Sequence, residues 1–166
     1  LLILVPRHPE RFDQVAQDCL AHGLTVCRRS NNHAVNGEDN VWLIDSLGEL
    51  LALCPLADIV TMGGSFSDIG GHNPLEPALF KKPIIVGHDM ANFREVMHQL
   101  HQANGIKQLT TSSTSSISQI SEQLAQAIWA LLQDPKEGQR LGEQAYQVVQ
   151  VNQGASDYSI KALQAL

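Results

Sequence analysis

A chain of 166 residues, 43% hydrophobic and 17% charged, is long enough to bury a core and too short for a second full domain. Its formal net charge of −6 argues against a nucleic-acid partner, because binding to a phosphate backbone relies on clustered Lys and Arg. No apolar run, Leu1 to Val5 included, is long enough to span a bilayer, and no stretch has the layout of a secretory signal, so a soluble cytosolic segment is expected.

The opening Leu1-Leu2-Ile3-Leu4-Val5 predicts a buried strand rather than a polar leader, as in a domain cut from a larger protein. Next, Phe12, Val15, Ala16, Cys19 and Leu20 recur at helical spacing, and Gly23 predicts the helix end. Further strands are expected at 24–27, 41–44, 58–62, 83–86 and 105–109. Residues 28–40 are polar and predict an exposed loop. Ser46-Leu47-Gly48-Glu49 has capping-box spacing before a helix through about Leu53, ahead of Pro55. Asn73-Pro74-Leu75-Glu76 repeats that logic, with Asn73 as N-cap and Pro74 at the first helical position.

The Ser/Thr run 110–116 predicts a polar connector. Ile117, Ile120, Leu124, Ile128 and Leu131 then mark a core-facing helix interrupted at Asp134-Pro135, followed by helical pieces at roughly 136–150 and 156–165. Strands alternating with helical segments predict an α/β fold, a Rossmann-like parallel sheet flanked by helices, in a single domain over 1–166. Cys19, Cys27 and Cys54 lack metal-like spacing and are expected to be buried thiols.

In an open parallel α/β sheet, ligands bind beyond the carboxyl ends of the strands. Three loops there have unusual composition: Pro6-Arg7-His8-Pro9, Asp45 to Glu49, and Gly63 to Glu76. The last holds Gly63, Gly64, Gly70 and Gly71 within nine residues, then His72, Asn73 and a helix start. Such a loop can approach a phosphate closely, with helix-start amides as donors, or it can simply be a flexible loop with a good cap. Neither a dinucleotide fingerprint after the first strand nor a Walker A sequence is present, which removes support for hydride transfer and NTPase chemistry.

Arg7 places a cation at the sheet's carboxyl edge, where it can fork onto a phosphate or pair with Glu10 or Asp13. Glu49 and Glu76 can complete capping boxes or accept hydrogen bonds from ribose hydroxyls, and the two roles are compatible. His8 and His72 can donate to a phosphate or line their loops. His98 and His101, three apart on a helix without a third ligand, are expected at the solvent surface, and no metal site is expected.

Three strings together resemble the C-terminal domain of bacterial Kdo (3-deoxy-D-manno-oct-2-ulosonic acid) transferases: Val5-Pro6-Arg7-His8-Pro9-Glu10-Arg11-Phe12, Gly63-Gly64-Ser65-Phe66, and Gly70-Gly71-His72-Asn73-Pro74-Leu75-Glu76-Pro77-Ala78. Gly48-Glu49-Leu50, Ala57-Asp58, Pro83-Ile84-Ile85-Val86-Gly87 and Asn92-Phe93 follow in the expected order. The variable stretch Ser67-Asp68-Ile69 and the pair Lys81-Lys82 depart from the pattern.

The resemblance implies the donor-binding half of a two-domain GT-B glycosyltransferase. It implies transfer of Kdo from CMP-Kdo to lipid IVA, a lipid A precursor, in lipopolysaccharide synthesis at the cytoplasmic face of the inner membrane, without a metal or other cofactor. Residues matching the family's CMP contacts are Pro6 and Arg7; Leu47, Gly48 and Glu49; and Gly70, Gly71, His72, Asn73, Pro74, Leu75 and Glu76. The catalytic base, the acceptor surface and the membrane anchor are implied to lie in an N-terminal domain outside this chain, leaving no catalytic residue here and an isolated fragment without activity. A donor domain for a UDP-sugar and a non-catalytic nucleotide-binding module are the competing readings.

Overall fold

Each of the six expected strands forms, and each is shorter than expected. In the computed structural model, residues 1–164 are described, with side chains described through residue 152. The chain divides into two units, one of residues 1–53 and one from Cys54 onward.

The first unit holds β1 (Leu2–Leu4), α1 (Phe12–Ala21), β2 (Val26–Arg28), β3 (Val41–Leu43) and the four-residue α2 (Leu50–Leu53). Its sheet is parallel, with order β1-β3-β2 and Leu4 and Arg28 both in register with Leu43. The middle strand is the buried one. Val41, Leu43 and the following Ile44 are fully inaccessible, whereas Leu2 on the edge strand is 50% exposed, so the expectation of a buried first strand is corrected by its edge position.

Helix α1 ends as expected at Gly23, at φ +74°. The Gly23 amide donates to Leu20 and the Leu24 amide to Cys19, the paired bonds of a Schellman end. That ending occupies Leu24, and the Thr25 amide is taken by Asn40 Oδ1 at 3.0 Å. Strand β2 therefore starts two residues later than expected and takes in Arg28.

The second unit holds β4 (Val60–Thr61), α3 (Leu75–Leu79), β5 (Ile84–Val86), α4 (Arg94–Gln102), β6 (Lys107–Gln108), α5 (Ile117–Gln133) and α6 (Pro135–Gln164). Its parallel sheet has order β4-β5-β6. Central β5 is inaccessible on both faces, the mark of a covered parallel strand. Ile84 and Val86 join Ala78, Met97, Leu100, Ala145 and Val148, while Ile85 joins Leu109, Ala127, Leu131 and Leu141. Each of the larger side chains, Val, Leu, Ile and Met, contributes about 1.5–3 kcal/mol on burial.

Two helical expectations change. Helix α6 is continuous, where two pieces were expected, because one Gly in a helix interior costs only about 1 kcal/mol and no Pro intervenes. Residue 165 of the expected second piece lies outside the described residues. In α5 the apolar stripe packs through Leu124, Ile128 and Leu131, but Ile117 in the first turn is 84% exposed. All three cysteines are buried and unpaired. Among the described residues, no helix is long and apolar enough to cross a membrane.

Candidate functional site

In the first unit, β1 and β3 are neighbours running the same way, so Pro6-Arg7 and Leu47-Gly48-Glu49 leave one edge of the sheet from adjacent strands. Ile44 donates its amide to Leu4 at 2.8 Å, continuing the pairing toward that edge. Arg7 is exposed. The two carboxylates that compete for it are engaged elsewhere: Glu10 lies 3.6 Å from His8 and Asp13 lies 2.6 Å from Arg28. No ion pair to Arg7 occurs among the described residues, which leaves its guanidinium available to an anion.

The Ser46 capping box does not form. Gly48 sits at φ +84° and α2 begins at Leu50, so Ser46 lies too far from the helix to cap it. Instead the Ser46 hydroxyl donates to Glu49, whose other carboxylate oxygen takes Arg29 Nε at 3.1 Å. These bonds, Ser46 first and Arg29 second, hold the Glu49 carboxyl below its ordinary range. Leu47 is 66% exposed.

Sequence reasoning missed the cluster beside these residues. Arg28 ends β2 and donates to Asp45 at 2.7 Å and to Asp13 at 2.6 Å, while Ser30 donates to Asp45 through both amide and hydroxyl. The Asp45 side chain is 1% exposed. Burial pushes its carboxyl up, but the Ser30 and Arg28 hydrogen bonds outweigh burial and leave it below the usual aspartate value. The available signal was Arg28-Arg29-Ser30 placed directly after an apolar run, as Arg7 is.

In the second unit, a 3-10 turn at Gly63–Phe66 follows β4. Ser65 is fully buried: its hydroxyl donates to the Met62 carbonyl and accepts from the Gly87 amide at 2.7 Å, joining the ends of β4 and β5. Gly70 and Gly71 adopt φ of +84° and +72°, as a loop built from glycine predicts. They are not loose, however. A β-carbon on Gly70 would meet the Asn92 side chain, and one on Gly71 would meet Met90, so both glycines are used for packing against the loop after β5.

Asn73, Pro74, Leu75 and Glu76 lead into α3 one residue later than expected, with Pro74 rather than Asn73 at the N-cap position. Asn73 Oδ1 accepts the Leu75 amide at 3.1 Å, and its side-chain amide lies 3.5 Å from Glu76. The helix-start amides are therefore poorer phosphate donors than expected, since Leu75 is engaged and Pro74 and Pro77 have no N–H. Glu76 does not complete a capping box with the Asn73 backbone. His72 stands next to Gly64, whose missing β-carbon leaves room for the imidazole.

Pro6, Arg7, Leu47, Gly48 and Glu49 thus lie in the first unit, and Gly70 through Glu76 in the second. His98 and His101 are exposed, with His101 2.8 Å from Gln108. Among the described residues, no group of three or more His, Cys, Asp or Glu side chains is placed to hold a metal ion.

No family model matches the chain. It is 39% identical over 155 residues, 93% of its length, to the 3-deoxy-D-manno-octulosonic acid transferase of Haemophilus influenzae, and 41% identical over 96 residues to that of Bordetella pertussis. It spans only 34% and 22% of those two proteins. Among solved structures, it is similar to the C-terminal CMP-Kdo binding domain of WaaA from Acinetobacter baumannii, with a TM-score of 0.79 and 33% identity over 89% of this chain and 72% of that one.

Proposed function

The chain belongs to the 3-deoxy-D-manno-octulosonic acid transferases, and we propose from this that it binds CMP-Kdo as the donor-binding part of such a glycosyltransferase. The observation that carries the proposal is the likeness to a CMP-Kdo binding domain across 89% of the chain at 33% identity. The complete enzyme moves Kdo from CMP-Kdo to lipid IVA at the cytoplasmic face of the inner membrane. Its N-terminal domain supplies the acceptor surface and the catalytic base.

The chemistry asks little of this half beyond holding and stabilising the donor. As the bond from Kdo to CMP breaks, charge grows on the phosphate and the anomeric carbon takes on oxocarbenium character. Arg7, exposed and without an acidic partner among the described residues, supplies a fixed positive charge for that phosphate. Pro6, Leu47, Gly48 and Glu49 in the first unit, and Gly70 through Glu76 in the second, are the proposed donor contacts. No metal or other cofactor is part of the proposal. Deprotonation of the acceptor hydroxyl requires a carboxylate within hydrogen-bond reach, supplied from outside this chain, so the chain alone turns over no donor.

The test is a residue-resolved NMR titration with CMP and, separately, UMP. Saturable shifts with CMP at Pro6–Arg7, Leu47–Glu49 and Gly70–Glu76, with weaker UMP binding, are expected. Equal binding of UMP would favour a UDP-sugar donor, and shifts confined to other residues would overturn the assignment of contacts.

A further inference from the structure

The segment Asp89–Asn92, which follows β5, takes both main-chain polar groups of Gly70. Asp89 Oδ2 accepts the Gly70 amide at 2.6 Å, and the Gly70 carbonyl accepts the Asn92 amide at 3.1 Å. The Asn92 side-chain amide also donates to the Ile69 carbonyl at 3.1 Å. The other Asp89 oxygen takes the Ala91 amide at 3.1 Å, so each carboxylate oxygen accepts one main-chain amide. Its own amide donates to the carbonyl of fully buried Ser65 at 3.0 Å. A continuous series of hydrogen bonds therefore runs from the buried ends of β4 and β5 through Asp89 to Gly70.

This matters because Gly70 and Gly71 sit where any other residue is strained. Free glycines sample many conformations, and ordering them at the moment of binding costs affinity. A charged acceptor on an amide is among the stronger ways to hold one conformation beforehand. The nearby Met90 sulfur and Asp89 carbonyl fill the space a Gly71 side chain would occupy, so the same segment fixes both glycines.

We propose that Asp89 is a positioning residue for donor binding: it sets the Gly70–Gly71 turn in its ligand-ready form and thereby raises affinity, without itself contacting the nucleotide. The proposal rests on the reading that Gly70–Glu76 contacts CMP. Asp89→Ala is expected to speed hydrogen exchange at the Gly70 amide, move that amide proton upfield, and weaken CMP binding about tenfold, as expected for loss of one hydrogen bond to a charged group. Measured well below the melting midpoint, the variant remains folded, and Asp89→Asn, which keeps one carbonyl acceptor, recovers part of the affinity and of the amide signature.

CMP binding by Asp89→Ala as tight as by the unaltered chain would overturn the role. So would parallel loss of affinity and melting midpoint with no recovery in Asp89→Asn, the pattern of a merely structural residue. If Asp89→Ala does not fold, Asp89→Asn decides by the same readouts. Absence of CMP binding by the unaltered chain would instead refute the donor reading itself, and with it this role.

Discussion

Gly142 of α6 approaches the Lys81 main chain so closely that a β-carbon at 142 would overlap the Lys81 carbonyl oxygen. Lys81 is at φ +56°, just past the end of α3. Its amide donates to Ala78 and that of Lys82 to Pro77, a Schellman ending with Lys where Gly is usual. The Lys81 ammonium lies 3.0 Å from Glu143 and 5.0 Å from the Tyr146 ring centroid. The lysine pair that departs from the family pattern thus contributes to seating α6.

Gly142→Ala is expected to lower stability by about 1–3 kcal/mol, since backbone must move to admit the methyl group. Gly138, in the same helix, is the control: a β-carbon there meets only Pro83, at an ordinary 3.6 Å. Gly138→Ala should stabilise by about 0.5–1 kcal/mol through helix propensity. Denaturant melts of both variants check this, and equal midpoints would contradict the close approach.

Asp45 should make the first unit acid-sensitive. Its carboxyl is raised by burial but lowered further by Ser30 and Arg28, so its folded value lies below the unfolded one. The associated stability is then full above the usual aspartate value of 3.8 and is lost as pH falls through the depressed folded value. Asp45→Ala should remove this dependence and cost about 1–3 kcal/mol at neutral pH, because Arg28 Nε and the Ser30 amide and hydroxyl lose their acceptor while Arg28 keeps Asp13. Melts across the acid range, with amide signals of Ser30 and Cys27 as local reporters, decide it. An unchanged acid limb in the variant would sink the assignment.

What the sequence made legible was what local chemistry decides. The strand positions followed from apolar runs, the end of α1 from Gly23, and the break before α6 from Asp134-Pro135. What it hid was longer in range. That Asp45 would be held by Arg28 and Ser30, and Gly70 by Asp89, depends on which strands become neighbours, and β3 lies between β1 and β2. The two capping boxes expected at Ser46 and Asn73 failed because spacing matches alone do not register the positive φ of Gly48 or the one-residue delay before α3. The capping box that does form, Ser116 with Gln119 at the start of α5, was passed over inside a Ser/Thr run.

Ser116→Ala should therefore destabilise the chain by about 1 kcal/mol, as a lost N-cap does. The Ser116 hydroxyl accepts the Gln119 amide at 3.2 Å, and the Gln119 side chain accepts the Ser116 amide at 2.9 Å. Ser113→Ala, in the same run, has no such bond and should change the melting midpoint little. Equal effects of the two substitutions would show that the cap contributes nothing.

The proposed donor contacts can be separated by which part of the nucleotide each residue is expected to recognise. Arg7 is exposed and has no ion-pair partner among the described residues, so Arg7→Ala should change stability by no more than about 0.5 kcal/mol. It should nevertheless weaken CMP by about tenfold or more, the size of a charge-assisted phosphate contact, while leaving the weaker binding of cytidine unchanged. Among the described residues the Glu76 carboxylate takes one hydrogen bond, from the Asn73 side-chain amide at the long distance of 3.5 Å, and so has a small structural role to lose. Glu76→Gln should then weaken CMP and cytidine alike through the ribose, leave inorganic phosphate binding unchanged, and preserve the melting midpoint. A fall in midpoint without any change in nucleotide preference would restore Glu76 to a capping role. Tight CMP binding by Arg7→Ala would show that the phosphate is held elsewhere. Both variants are read by calorimetric titration of the same three ligands, so a loss that follows the phosphate is distinguished from one that follows the sugar.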